Sequence, residues 1–183
     1  MLEVMPSDFS QTLPDRMALF QAKARALSRL RRWNGASDVT VAQHLVDACD
    51  HAPLAVKGHI LLHDIEEDET GDLITPVKHR MRALGIWQVF DAEIVQPVRR
   101  KYTAAAGLGW PCPVRIEATI KEIDLRLKVT EYRDTVDRSI VSFTPPPGIE
   151  AYCDYMLPWS PQKAEAQFMD RAVRFLPALR GAK

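Results

Sequence analysis

The sequence predicts an all-α fold, a compact helical bundle forming one domain over residues 1–183. Three observations carry this expectation. Apolar residues recur at three- and four-residue steps through several long stretches. Alternation of the β kind is confined to one short run, Ile140-Val141-Ser142-Phe143. Proline and glycine divide the periodic stretches and leave short connections, as a bundle requires. The chain is long enough to bury one core and too short for two comfortable ones. Its 46% hydrophobic and 26% charged residues are ordinary for a globular protein.

A first helix is expected over 17–30, where Leu19, Phe20, Ala24, Leu27 and Leu30 fall near helical spacing with basic residues between them; Trp33-Asn34-Gly35 interrupts the pattern. Thr40 offers an N-cap hydroxyl for a second helix over 41–48, bounded by Pro53. A third, apolar helix over 54–64 runs into HDIEEDETGD, residues 63–72, of which six are carboxylates. Gly71 and Pro76 then frame a turn. A long amphipathic helix is expected over 86–105, with Trp87, Phe90, Ile94, Val98 and Tyr102 on one stripe that serves packing or assembly. The strongest periodicity runs over 114–136 through Ile116, Ile120, Ile123 and Leu127, and Pro145-Pro146-Pro147-Gly148 stops it. Ser160 as cap and Pro161 in the first turn open a closing helix over 161–175.

Lys and Arg number 24, as do Asp and Glu, so no net field recruits DNA, RNA or an anionic membrane. No apolar run approaches the roughly 20 residues that span a bilayer. MLEVMPSDFSQ has neither the basic region nor the continuous apolar region of a secretory signal. Cys49, Cys112 and Cys153 are scattered, odd in number and without a CxxC pair, against a disulfide framework or a thiolate zinc site. A cytoplasmic protein without membrane or nucleic-acid-polymer partners is expected.

Three pieces of this helical map bear chemistry. His44 lies in VAQHL of the second helix, His63-Asp64 closes the third, and Asp124 follows Ile123 on the apolar stripe of the longest. An unpaired carboxylate beside a buried face is very unfavourable. Two imidazoles and two carboxylates converging from three helices would relieve it by holding a divalent cation, with positions left for water and substrate oxygens. Spacing alone leaves other readings open. His44 also suits a hydrogen-bonded core position, Asp124 suits an ion pair with Arg126 or Arg133, and the acidic run suits a solvated helix end. Carboxylates nevertheless fit a helix C-terminus poorly, because the dipole there is negative.

ALSRLRRWNG, VAQH, HDIEEDETGDLITPVK and KEIDLRLKVTE, in that order and followed by LPWSPQKAEAQF, resemble the HD superfamily of metal-dependent phosphohydrolases. More narrowly they are similar to its compact bacterial and phage branch, related to 5′-deoxynucleotidases and phage dATP triphosphohydrolases. The resemblance covers roughly residues 18–176 and implies an HD-type helical domain. It implies that His44, His63, Asp64 and Asp124 bind one divalent ion, Mn, Co, Fe or Zn. It implies a catalytic Glu67, which holds the attacking water or protonates the leaving oxygen, and an Asp72 that faces the sugar hydroxyl beside it. Arg32 and Lys78 match positions near phosphate, and Trp33 matches an aromatic position lining the nucleoside pocket or, on its own merits, a core anchor. Glu131 and Arg133 match supporting positions.

Glu66, Asp68 and Glu69 exceed the family pattern and are expected to face solvent. His59 is expected to be structural or to support the site, and His51 and His79 to lie at the surface. The implied reaction is hydrolysis of a 5′-deoxynucleotide: a monophosphate to deoxynucleoside and phosphate, or a triphosphate to deoxynucleoside and triphosphate. A nucleotide-binding domain without turnover, or hydrolysis of a cyclic or signalling nucleotide, would use the same residues. Relatives form dimers or larger rings, so a homo-oligomer is implied.

Overall fold

Thr12 begins the first helix with a reciprocal cap. Its hydroxyl accepts the Asp15 N–H at 3.4 Å while the Asp15 carboxylate accepts the Thr12 N–H at 3.0 Å, ahead of α1, Leu13–Leu27. This is a computed structural model describing residues 11–180; the segment 1–10, read above for a targeting signal, lies outside them. After α1 the chain folds back on itself. The Arg32 N–H reaches the Val39 carbonyl and the Val41 N–H reaches the Leu30 carbonyl, both at 2.9 Å. That closure holds Arg32 and Trp33 beside the start of α2, Val41–His51, whose cap is Thr40 Oγ1 accepting the Gln43 N–H at 3.2 Å.

α2 is buried on nearly every side, which makes it the central helix. α9, Pro161–Phe175, packs across α1 and α2 through Ala164, Phe168, Met169 and Ala172. α8, Val114–Asp134, also packs on α2. One continuous core joins them, with Phe20, Leu45, Ile60, Leu127 and Phe168 among its fully enclosed side chains. Each such side chain contributes about 1.5–3 kcal/mol of burial. The fold is all-α, and no strand occurs among the described residues; Ile140, in the run with β-like alternation, is exposed.

The helix expected over 54–64 is replaced by one turn, α3, Lys57–Ile60, then successive turns up to Glu66, and a second single turn, α4, Glu67–Thr70. Ile60, Leu61, Leu62 and Ile65 are all buried, and four residues so close in sequence do not share one face of an α-helix. Gly71, at φ +76°, and Pro76 do frame a non-helical connection over 71–74, and Pro76 then stands in the first turn of a helix that was not expected, α5, Thr75–Ala83. α5 buries no residue, so it had no apolar periodicity to announce it.

The stripe expected over 86–105 breaks in the middle. α6, Trp87–Phe90, and α7, Gln96–Ala105, flank a π-helical turn at Asp91–Val95. Its wider winding moves the phase by one residue, so Val95 is buried and Ile94 is turned outward. Residues 135–160 form no helix and are pinned from α8 and α2. Arg133 donates to the Tyr152 and Asp154 carbonyls at 2.8 and 2.9 Å, and the Gln43 amide bonds the backbone of Leu157 and Trp159 at 2.9 and 2.8 Å. Among the described residues no helix is long and apolar enough to cross a membrane.

Candidate metal centre and its cavity

His44, near the middle of α2, meets Asp124 and Glu131 of α8, which stand seven residues and so about two helical turns apart on one face. His63 and Asp64 arrive from the turns between α3 and α4 rather than from a helix end. His44, His63, Asp64 and Asp124 each present one donor atom within 4.8 Å of the others, a set that could hold a metal ion. His44 is buried and the other three are half-buried.

The imidazole orientations are fixed from behind. His44 Nδ1 lies 2.7 Å from Glu131 Oε1, and His63 Nδ1 lies 2.6 Å from the Ile60 carbonyl. A carboxylate and a carbonyl only accept, so both Nδ1 atoms carry a proton and both Nε2 atoms turn inward. The two Nε2 atoms are 3.3 Å apart, and Asp124 Oδ1 is 3.2 Å from one of them while Asp64 Oδ2 is 3.3 Å from the other. Lone pairs and carboxylate oxygens gathered this closely repel unless a proton or a cation lies among them. Asp124 Oδ1 is buried and makes no hydrogen bond within the protein. Two imidazoles with outward-facing partners and two carboxylates are the donor chemistry of a mixed N/O divalent site, so these residues fit such an ion.

The charges of the group stabilise one another. Burial disfavours a charged His63, but Asp64 and Asp124 overcome it and push its pKa to about 10. Burial raises Asp64 and Asp124, yet His63 beside the first and Lys128 beside the second hold both well below the usual carboxylate range. Glu131 is fully buried; Arg32 and His44 outweigh that burial and hold it at about 2.

The centre opens on a cavity of about 750 Å3 whose walls include Glu67, Lys78, Arg99 and Lys128. Glu67 is buried, and its Oε2 has no hydrogen-bond partner. Burial, then the Asp64 charge, push its pKa well above the usual range, with Arg32 only partly offsetting them. A carboxyl whose ionised form is disfavoured in this way is suited to general-acid work.

Of the three acids expected in solvent, Glu69 is exposed, but Glu66 and Asp68 are not. Glu66 is 5% exposed and is gripped by Arg99 of α7, Nε to Oε2 at 2.8 Å and Nη2 to Oε1. Asp68 and Glu69 both pair with Lys23 of α1, the second at 2.8 Å. The expectation assumed helical directions through 63–70, and the turns there aim Glu66 inward.

Arg32 is 3% exposed and does not line the cavity. Its Nε bonds Glu131 at 3.1 Å, and its Nη1 stands 3.6 Å from Asp64 and 3.9 Å from Glu67. Trp33 does not line the cavity either. It donates its indole N–H to Glu131 Oε2 at 2.7 Å and packs edge-on against Phe143 and at a tilt against Tyr132. Trp33 and Asn34 both have φ above +50°, costly for a bulky side chain, and Asp72 accepts both their backbone N–H groups. Asp72 therefore supports the Trp33 turn.

Arg133 does not support the centre; it is exposed and bonds Asp134 and the 152–154 backbone. Neither Arg126 nor Arg133 pairs with Asp124; its cation is Lys128, at 2.7 Å. His59 is a half-buried wall residue of the cavity outside the ligand group, His79 is exposed at the same cavity, and His51 is exposed and stacked on Tyr152 with centroids 3.6 Å apart. Arg99 went unread because nothing in PVRRKY indicates the distant acid it meets; Lys128 was detectable as the residue four after Asp124 on a helix. No protein-family model matches this chain, and no curated protein matches it.

Proposed function

We propose that the protein is a divalent-metal-dependent phosphohydrolase of HD type acting on 5′-deoxynucleotides, converting a deoxynucleoside monophosphate to deoxynucleoside and phosphate. The observation that carries the reading is the pair of inward Nε2 atoms beside Asp64 and Asp124, opening on a cavity whose wall holds a buried Glu67 with Oε2 free of hydrogen bonds. The motif order described above supplies the nucleotide. A bound ion, Mn, Co, Fe or Zn, would contribute Lewis-acid polarisation of the phosphate ester.

The chain's own groups do the rest. His44 and His63 are held in one tautomer by Glu131 and the Ile60 carbonyl. A water oxygen adds to phosphorus as the ester P–O bond breaks, the Glu67 carboxyl gives its proton to the leaving sugar oxygen, and the attacking water returns one to Glu67. Lys78, at the cavity wall, supplies a mobile positive charge for the phosphoryl oxygens. Arg32 acts on phosphate only indirectly, as the counter-charge to Glu131 and Asp64. Trp33 and Asp72 shape the adjoining turn, and through it the sugar end of the site. A homo-oligomer and a cytoplasmic location belong to the same reading, the latter fitting three unpaired thiols.

One observation favours a triphosphate as the substrate. Lys78, Arg82 and Lys121 line the cavity and form no ion pair among the described residues, three cations where a monophosphate dianion needs two. The deciding experiment incubates the protein, with each divalent metal in turn, against deoxynucleoside mono- and triphosphates and ribonucleotides. Orthophosphate from a monophosphate supports the first reading, and tripolyphosphate from a triphosphate the second. No turnover of any nucleotide by an ion-loaded sample sinks both in favour of a binding domain.

A further inference from the structure

We infer that Arg99 and Lys128 are phosphate-binding residues, set against the outer oxygens of Asp64 and Asp124 to receive the phosphoryl oxygens of the substrate. Within each carboxylate the oxygens divide their work. Asp64 Oδ2 faces His63 at 3.3 Å while its Oδ1 faces Arg99 Nη2 at 3.6 Å. Asp124 Oδ1 faces His44 at 3.2 Å while its Oδ2 takes Lys128 Nζ at 2.7 Å. Each cation therefore stands one carboxylate away from the imidazole pair, and both line the cavity.

Both also keep donors to spare. Arg99, its side chain 31% exposed, spends Nε and Nη2 on Glu66, and its Nη1 bonds no described residue. Lys128, 30% exposed, has three N–H donors and gives one to Asp124. Arg32, by contrast, is closed off by Glu131, Asp64 and Glu67 and does not reach the cavity. A phosphoryl group at the mouth of the centre would also meet Glu66 and the two ligand carboxylates, and Arg99 and Lys128 are the cations placed to offset them. A planar fork and a compact ammonium together suit a tetrahedral oxyanion.

This inference rests on the phosphohydrolase reading, and binding measurements separate the two. Titration calorimetry reads first the divalent ion alone, then inorganic phosphate added to ion-loaded protein, for wild type, Arg99→Gln, Lys128→Gln and Lys128→Arg. Each Gln variant is expected to bind the ion within a few-fold of wild type and inorganic phosphate about 10- to 100-fold more weakly, the range for a lost hydrogen bond to a charged group. Lys128→Arg is expected to restore most of the phosphate affinity. Unchanged phosphate affinity in both Gln variants overturns the assignment, as does a wild type that binds no phosphate. Loss of ion binding in parallel with phosphate binding also overturns it, because the two cations would then serve only the ligands. A wild type that binds ion and phosphate but turns over no nucleotide sinks the hydrolase reading and leaves the phosphate contacts standing.

Discussion

Replacing Glu131 by Gln tests the support of the centre directly. The substitution keeps the side-chain shape and removes the charge that meets His44 at 2.7 Å, Arg32 at 3.1 Å and the Trp33 indole at 2.7 Å. The carboxyl is held at about 2 against an ordinary 4.5. At 1.36 kcal/mol per pH unit, this favours the ionised, folded form by about 3 kcal/mol. Removing one partner of a buried ion pair gives about 3–5 kcal/mol by an independent route, and the lower end applies because Arg32 keeps Asp64 and Glu67 nearby.

The sign follows from the lowered value. The contribution is full above about 4.5 and is lost as pH falls toward 2, so the gap between wild type and variant should be about 3 kcal/mol at pH 7 and should close in acid. Ion affinity should fall about 10- to 100-fold, as for other partners that orient a ligating imidazole. Urea unfolding of ion-free protein at several pH values gives the first quantity and calorimetric ion titration the second. A variant that unfolds like wild type at pH 7, or that loses stability but binds the ion as tightly, refutes the claim that Glu131 orients His44.

Other perturbations follow from the same geometry. Glu67→Gln should retain the ion and bound nucleotide while turnover drops about 10²–10⁴-fold; steady-state rates near wild type would remove Glu67 from the reaction. Asp124→Asn should abolish stoichiometric ion binding, seen by metal analysis after dialysis, and a full complement of metal would disprove its ligation. Ion uptake should release a proton from His63, held at about 10, so affinity should rise about tenfold per pH unit below that value. Calorimetry in buffers of different ionisation enthalpy counts that proton, and a count of zero contradicts a His63 that is protonated before the ion enters. Asp47, pushed up to about 7 by burial, destabilises the fold when ionised. Its favourable contribution is full below about 3.8 and fades as pH rises through 7, so Asp47→Asn should be the more stable protein at pH 8, by at most about 4 kcal/mol, and no different at pH 4; equal urea midpoints at pH 8 would count against it.

The long, one-sided helices α1 and α8 were legible because their burial is periodic, and α2 and α9 were legible from the Thr40 and Ser160-Pro161 starts; all four appear within a few residues of the expected ends. The ligand set was legible for a different reason, as four residues whose types suit one ion and whose motif order resembles a known pattern; the structure brings all four together. What stayed hidden depends on contacts between distant segments. Glu66 was assigned to solvent because nothing local to it reveals that Arg99, 33 residues later, closes over it. Ile94 was placed inward because a π turn leaves no mark in a 3.6-residue pattern. α5 was missed because a helix that buries nothing has no stripe to read.

The stretch HDIEEDETGD has a further consequence for how charge reaches solvent. Glu66 answers to Arg99, Glu67 faces Arg32, and Asp68 and Glu69 share Lys23, so consecutive acids are matched by cations from separate parts of the chain. Beyond a screening distance of about 8 Å at physiological ionic strength, so largely paired a set projects little field. Lys78, Arg82 and Lys121 form no ion pair among the described residues, so an approaching anion would feel those three first. The most acidic ten residues of the protein thus sit at the doorway without guarding it.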